Sequence, residues 1–378
     1  MTLKAEKPGA GRSLRILLLA AADVVHARRW ADYFRGRGHD VLLATLDPSG
    51  IEGFEEKPLA SFTGINALRY PLAALSLWPL VRSFRPQVVN AHFVPGYGFL
   101  ASLVPSARPL VVSTWGSDVL IGARRGFLHW WRARFVLRRA ALVTCDGKVL
   151  VRALEELGVE TARILNVPMG VEPGLFHPPH SASSPAGPRR KSGKRAFRLV
   201  SLRRLEPLYD VATLLRAAAL LREAGWNFEC LVVGDGSQRA ELENLGKELF
   251  LENRVTFTGT LTRGEIADTL RQADIYVSCS RSDSTSVSLL EALATGLFPV
   301  VTDIPGNREW VEHGRNGLVF APGDPGRLAE ILIQAMQDQE LRQGAYDENT
   351  QMARQKASWE NNMKIVEENL LRIAAERG

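Results

Sequence analysis

The stretch Ser280-Arg281-Ser282-Asp283-Ser284-Thr285-Ser286-Val287-Ser288-Leu289-Leu290-Glu291-Ala292-Leu293-Ala294-Thr295-Gly296 follows the apolar run Ile275-Tyr276-Val277. Small polar residues fill its first half and apolar residues at helical spacing its second. The pattern predicts a strand ending near Ser278, a turn, and a helix opening around Ser286. A helix that opens this way turns several backbone N–H groups outward with no partner inside the helix, which makes an anion site. In an open α/β sheet, ligands bind at the carboxyl ends of strands, where this turn lies. Two carboxylates frame it, Asp283 before the helix and Glu291 about a turn and a half inside it. Both are able to accept from ligand hydroxyls. Asp283 also reads as a helix cap, and Glu291 as a solvated or ion-paired residue.

The same alternation runs through the rest of the chain. Phe197-Arg198-Leu199-Val200-Ser201, residues 228–233 and Val255-Thr256-Phe257 read as strands, with helices over 211–224 and 239–249 and a long helical segment over 325–377. Towards the N-terminus, Leu14-Arg15-Ile16-Leu17-Leu18-Leu19-Ala20 is a short apolar run of the kind buried on both faces of a parallel sheet. A helix over 27–37 and the strand Val41-Leu42-Leu43-Ala44 complete a βαβ unit. Val88-Val89, Leu110-Val111-Val112 and Ala141-Leu142-Val143 continue it. Residues 178–196 lack periodicity and are rich in Pro, Ser, Gly and basic side chains, the composition of an exposed linker. A length of 378 residues exceeds what one core usually organises. The expected organisation is therefore an α/β domain over 1–177, a linker over 178–196 and a second α/β domain over 197–378, whose last helix is a candidate to cross back to the first.

At 46% hydrophobic and 23% charged the composition is that of a globular protein, and no run approaches the roughly 20 apolar residues of a membrane helix. Residues 1–12 lack the apolar centre of a signal peptide, so the expected location is the cytoplasm. Cys145, Cys230 and Cys279 are too widely spaced for a zinc site or a disulfide framework and read as buried thiols. Charge is uneven: residues 1–190 hold 24 Lys and Arg against 14 Asp and Glu. Residues 124–139 carry six arginines and four large aromatics without an acid. That mixture suits an anionic membrane surface, with the protein peripheral on its inner face. The other reading is a helix with Leu128, Trp131 and Phe135 turned inward and a solvated arginine face. Nucleic acid is not an expected partner, because no binding module accompanies the patch.

The stretch 280–296 resembles the Glu-x7-Glu signature of the retaining glycosyltransferases of family 4, with Asp283 in place of the first Glu. The likeness continues through Gly306-Asn307-Arg308-Glu309 and Asn316-Gly317-Leu318-Val319. Ser201-Leu202-Arg203-Arg204-Leu205-Glu206-Pro207-Leu208-Tyr209-Asp210 resembles the turn whose Arg and Lys clamp the donor phosphates in that family; Arg204 matches the Arg, and Tyr209 stands where the Lys is expected. Val233-Gly234-Asp235-Gly236 is similar to the family's third glycine turn, where backbone approaches the donor. In the first half, Ala20-Ala21-Ala22-Asp23 takes the place of a Gly-Gly turn. Trp115 and Ser117 stand near Gly116, where relatives often show a His.

The resemblance implies a GT-B fold, two facing Rossmann-like domains with parallel sheets and a cleft between them, and no metal or other cofactor. It implies that Asp283 contacts the transferred sugar, Glu291 the ribose, the amides of Ser286 and Val287 the diphosphate, and Arg204 its charge, with Tyr209 and Gly234 beside the donor. His92, or His26, and Asp118 are the acceptor-side candidates; each also reads as structural. The expected reaction moves a sugar with retention from a UDP- or GDP-sugar to an acceptor, a lipid-linked or cell-envelope glycan. A nucleotide-sugar epimerase and a non-catalytic nucleotide-sugar-binding subunit are the other readings.

Overall fold

The computed structural model describes residues 13–51, 55–60, 66–179 and 195–376. Apart from its two ends, the expected linker 178–196 lies outside the described residues. The chain divides into two compact units, residues 1–167 with 363–378, and residues 168–362.

Seven parallel strands form the sheet of the first unit: β1 (Arg15–Leu19), β2 (Asp40–Thr45), β3 (Lys57–Pro58), β4 (Val88–His92), β5 (Leu110–Ser113), β6 (Leu142–Cys145) and β7 (Ile164–Asn166), in the order β3-β2-β1-β4-β5-β6-β7. Its centre is apolar because helices cover both faces; every residue of β4 and β5 is buried. Leu17 lies opposite Leu42 on one side and Val89 on the other. The strand order reverses between β1 and β4, and the chain leaving both carboxyl ends borders the crevice where ligands bind in such sheets.

The second sheet has six strands, β8 (Phe197–Leu202), β9 (Phe228–Val233), β10 (Val255–Gly259), β11 (Ile275–Ser278), β12 (Phe298–Thr302) and β13 (Leu318–Phe320), ordered β10-β9-β8-β11-β12-β13. Here the order reverses between β8 and β11. The helices Val211–Glu223 and Pro325–Gln337 bury Leu214, Leu215, Leu328 and Leu332 in its core. The three cysteines are buried thiols, none of them in a disulfide among the described residues.

The helical segment near the C-terminus resolves into Pro325–Gln337, Gln339–Lys356 and Trp359–Ala375. The last of these begins in the second unit and ends in the first. Its Glu367, buried at 5% exposure, accepts from Tyr33 Oη (3.1 Å) and Arg37 Nε (3.1 Å) and contacts His39 Nε2 at 3.0 Å. His39 Nδ1 accepts from the Leu14 amide at 3.0 Å, so the histidine links this helix to the start of β1. No helix among the described residues is long and apolar enough to cross a membrane.

Candidate active site

The turn after β11 opens the helix Val287–Ala294. Ser286 caps it, its Oγ accepting from the Leu289 amide at 3.1 Å, and the first bond within the helix runs from the Leu290 amide to the Ser286 carbonyl. The amides of Ser286 and Val287 precede that bond and lie at the positive end of the helix. Neighbouring elements brace the turn. Thr302 Oγ1 donates to the Ser280 carbonyl (2.6 Å) and Trp310 Nε1 to Thr285 Oγ1 (3.4 Å). A Cβ on Gly306 would lie 2.3 Å from the Ser284 carbonyl oxygen and 2.5 Å from that of Asp283, so only glycine lets this segment reach the turn. Glu291 is buried on the helix, at 7% exposure, while the Asp283 side chain is 18% exposed.

The turn after β8 lies beside it. Backbone stitches the two, with the Arg281 amide donating to the Leu208 carbonyl at 2.9 Å; Arg281 also pairs with Asp210 at 2.8 Å. A Cβ on Gly234, at φ +133°, would fall 2.0 Å from the Arg203 carbonyl oxygen, and one on Gly236 2.5 Å from that of Leu205. These glycines therefore let the β9 turn support the β8 turn. Arg204, matched to the phosphate clamp by its sequence position, projects to solvent with its side chain 75% exposed and only a loose contact of 3.7 Å to Glu206. Arg203 behaves differently. Its side chain is 9% exposed, and its guanidinium meets the Asp283 carboxylate at 2.9 Å, donates through Nε to Ser278 Oγ at 3.2 Å and lies 5.3 Å from the Tyr209 ring. Burial opposes the Arg203 charge, but Tyr276 and Asp283 hold its proton affinity above the ordinary arginine value. Sequence reasoning chose between two adjacent arginines by motif position and missed this pairing. The only signal for it was the short Asp283 itself.

In the first unit the acceptor-side candidates His92 and Asp118 are both buried. His92 is 2% exposed, within hydrogen-bond reach of Asn90 Oδ1 at 3.0 Å, with the Trp30 and Trp115 rings at 5.0 and 5.2 Å. Burial, with the charge of His26, lowers its pKa from 6.5 to about 3. These surroundings favour the neutral imidazole. Asp118 is also buried, and its two oxygens accept from the Val94 and Trp115 amides, both at 3.1 Å. Burial pushes its carboxyl upward. It fastens the chain leaving β4 to the chain leaving β5 and does not stand free for an acceptor. Phe93, between His92 and Val94, has φ +66°, an uncommon conformation for a bulky side chain that this fastening holds. His26 stacks on Trp115 at 5.2 Å.

Among the described residues, no group of three or more His, Cys, Asp or Glu side chains is placed to hold a metal ion. The family model described as Glycosyl transferases group 1 matches residues 188–352, and the one described as Glycosyl transferase 4-like matches residues 15–147. Between them they take in every strand of the two sheets except β7. The chain is a glycosyltransferase of the GT-B fold.

Relatives of this glycosyltransferase include the GDP-mannose-dependent alpha-(1-6)-phosphatidylinositol monomannoside mannosyltransferase of Mycobacterium tuberculosis, 24% identical over 80% of this chain and 82% of that protein. The sulfoquinovosyl transferase SQD2 of Arabidopsis thaliana is 27% identical over 82% of this chain and 63% of its own length. Among solved structures, the fold is similar to sucrose-phosphate synthase from Thermosynechococcus elongatus, with TM-score 0.81 and 17% identity over 96% of this chain and all of that one. It is also similar to Anabaena HepE in complex with UDP and glucose, with TM-score 0.78 and 19% identity over 95% of this chain and all of that one. At such identities the likeness establishes the GT-B fold of the glycosyltransferase and not its substrates.

Proposed function

We propose that this glycosyltransferase moves a sugar, with retention of anomeric configuration and without a metal, from a UDP- or GDP-sugar to a lipid-linked or cell-envelope glycan. The observation that carries the donor half is the exposed Arg204 in the turn stitched to the one that opens the helix Val287–Ala294, where the Ser286 and Val287 amides lie. The donor diphosphate gains negative charge as its bond to the sugar breaks. Arg204 and the helix amides stabilise that charge in the place of a divalent ion. Asp283 accepts from sugar hydroxyls and Glu291 from those of the ribose. The acceptor hydroxyl attacks the anomeric carbon on the face that the phosphate leaves, and its proton passes to the departing phosphate oxygen. No protein nucleophile is required. The mannosyltransferase relative uses GDP-mannose by its name and HepE was solved with UDP, so both nucleotides enter the reading.

The acceptor half is supported by the helix Phe127–Leu137. Its Phe127, Leu128 and Trp131 are 74, 75 and 52% exposed, so Leu128 and Trp131 are not turned inward. The adjoining helix Asn66–Phe84, joined to it where Arg132 lies 4.8 Å from the Tyr70 ring, adds Leu75 at 70% and Trp78 at 50%. Apolar surface rimmed by arginine matches the interface of an anionic bilayer, where a lipid-linked acceptor resides. Product analysis tests the whole reading. Incubation in EDTA with UDP- and GDP-sugars and an extract of lipid-linked glycans is expected to give a product of the donor's anomeric configuration by proton NMR. An inverted product, or transfer that requires added divalent ion, would refute it.

A further inference from the structure

Two departures from the family pattern meet beside Arg203. Arg203 precedes the matched arginine, Tyr209 stands at the lysine position, and Asp283 replaces the longer Glu. The Arg203 guanidinium contacts Asp283 Oδ2 at 2.9 Å and lies 5.3 Å from the Tyr209 ring. Asp283 Oδ1 accepts from the Ser284 amide at 3.0 Å and keeps a second lone pair, while Oδ2 is buried against the guanidinium, so the orientation of the carboxylate is fixed. The backbone at both ends is held as well. Gly234 packs against the Arg203 carbonyl and Gly306 against that of Asp283, each closer than any side chain would permit. An ammonium at position 209 would face the Arg203 cation and repel it, whereas an aromatic ring receives a guanidinium face-on. The tyrosine and the arginine are thus mutually consistent.

We propose that Arg203 is a positioning residue of the donor site, aiming the short Asp283 carboxylate at the hydroxyls of the transferred sugar, with Tyr209 as the surface against which it is held. This rests on the donor reading above, in which Asp283 meets the sugar. Arg203 therefore acts on the sugar and not on the diphosphate, which is left to Arg204 and the helix amides.

Calorimetric titration with UDP, GDP, UDP-glucose and GDP-mannose, together with kcat and donor KM, separates the roles. For Arg203→Gln, affinity for the nucleotide sugar and kcat are expected to fall roughly tenfold or more, while affinity for the matching free diphosphate stays within about twofold. Arg203→Lys, which keeps the charge, is expected to recover part of the loss. Arg203→Gln combined with Asp283→Asn leaves no unpaired charge. It is expected to fold, by its melting temperature, and to be no worse than Asp283→Asn alone, because the two residues act as a unit. Equal loss of free diphosphate and nucleotide sugar in Arg203→Gln would make Arg203 a phosphate clamp and overturn the proposal. So would unchanged binding and turnover, or losses at positions 203 and 283 that multiply. Wild-type protein that binds none of the four ligands would instead bring down the donor reading, and the proposal with it.

Discussion

Arg204→Ala removes a cation that packs against almost nothing, so stability is expected to change by no more than about 0.5 kcal/mol. If that cation balances leaving-group charge, kcat falls by about a hundredfold, as for loss of one preorganised donor to a developing anion. Glu291→Gln, on the ribose side, raises donor KM more than it lowers kcat. Steady-state kinetics with the donor checks both, and unchanged constants in either variant would remove that residue from the site. His92 gives a pH signature. Its folded-state pKa of about 3 lies below the ordinary 6.5, so the unfolded chain binds the proton more readily. The stability it contributes is full above about pH 6.5 and is lost as pH falls from there towards 3, amounting to about 2 kcal/mol between pH 7 and 5. Urea titrations at those two pH values are expected to show that loss, and His92→Gln to reduce it. A flat profile in the wild type would contradict a buried neutral His92.

At the scale of elements, strand and helix periodicity made most of the second unit legible. The strand Phe228–Val233 falls where its apolar run places it, and the helix Val287–Ala294 opens at the Ser286 cap. Turn chemistry pointed to a candidate ligand site but not to which side chains are buried and hydrogen-bonded within the fold. His92 and Asp118 looked like site residues because they follow strand ends. Their burial depends on Trp30, Trp115 and the Val94 amide, which come from separate segments. The helix Asn66–Phe84 was missed because Pro71 and Pro79 sit inside it, and proline ordinarily ends a helix. Together with Phe127–Leu137 it bears on the membrane proposal. Arg124, Arg125, Arg138 and Arg139 replaced by Gln should reduce sedimentation with anionic vesicles and leave donor affinity nearly intact. Salt should do the same in the wild type, since surface charge is screened over about 8 Å at physiological ionic strength. Arg124 is already paired with Glu156 at 2.8 Å, so most of the effect is expected from the other three. Equal sedimentation of the wild type and the fourfold variant would favour a soluble acceptor.

For the molecule as a whole, the chain makes two parallel sheets and then returns, its last helix ending in the unit where the chain began. Glu367 secures that return through His39, Arg37 and Tyr33. Glu367→Ala leaves those partners without their acceptor and is expected to destabilise the protein by about 3 kcal/mol, read by urea denaturation. A change below about 0.5 kcal/mol would mean that apolar packing alone holds the helix. The account as a whole stands on a donor site that needs no metal. A thermal-shift screen in EDTA against UDP, GDP, ADP and their sugars tests it most directly. One nucleotide series at about 100 times its dissociation constant should stabilise the wild type by about 2.7 kcal/mol, and Arg204→Ala should need a markedly higher concentration for the same shift. No shift with any nucleotide unless a divalent ion is added, or an identical response from Arg204→Ala, would contradict it.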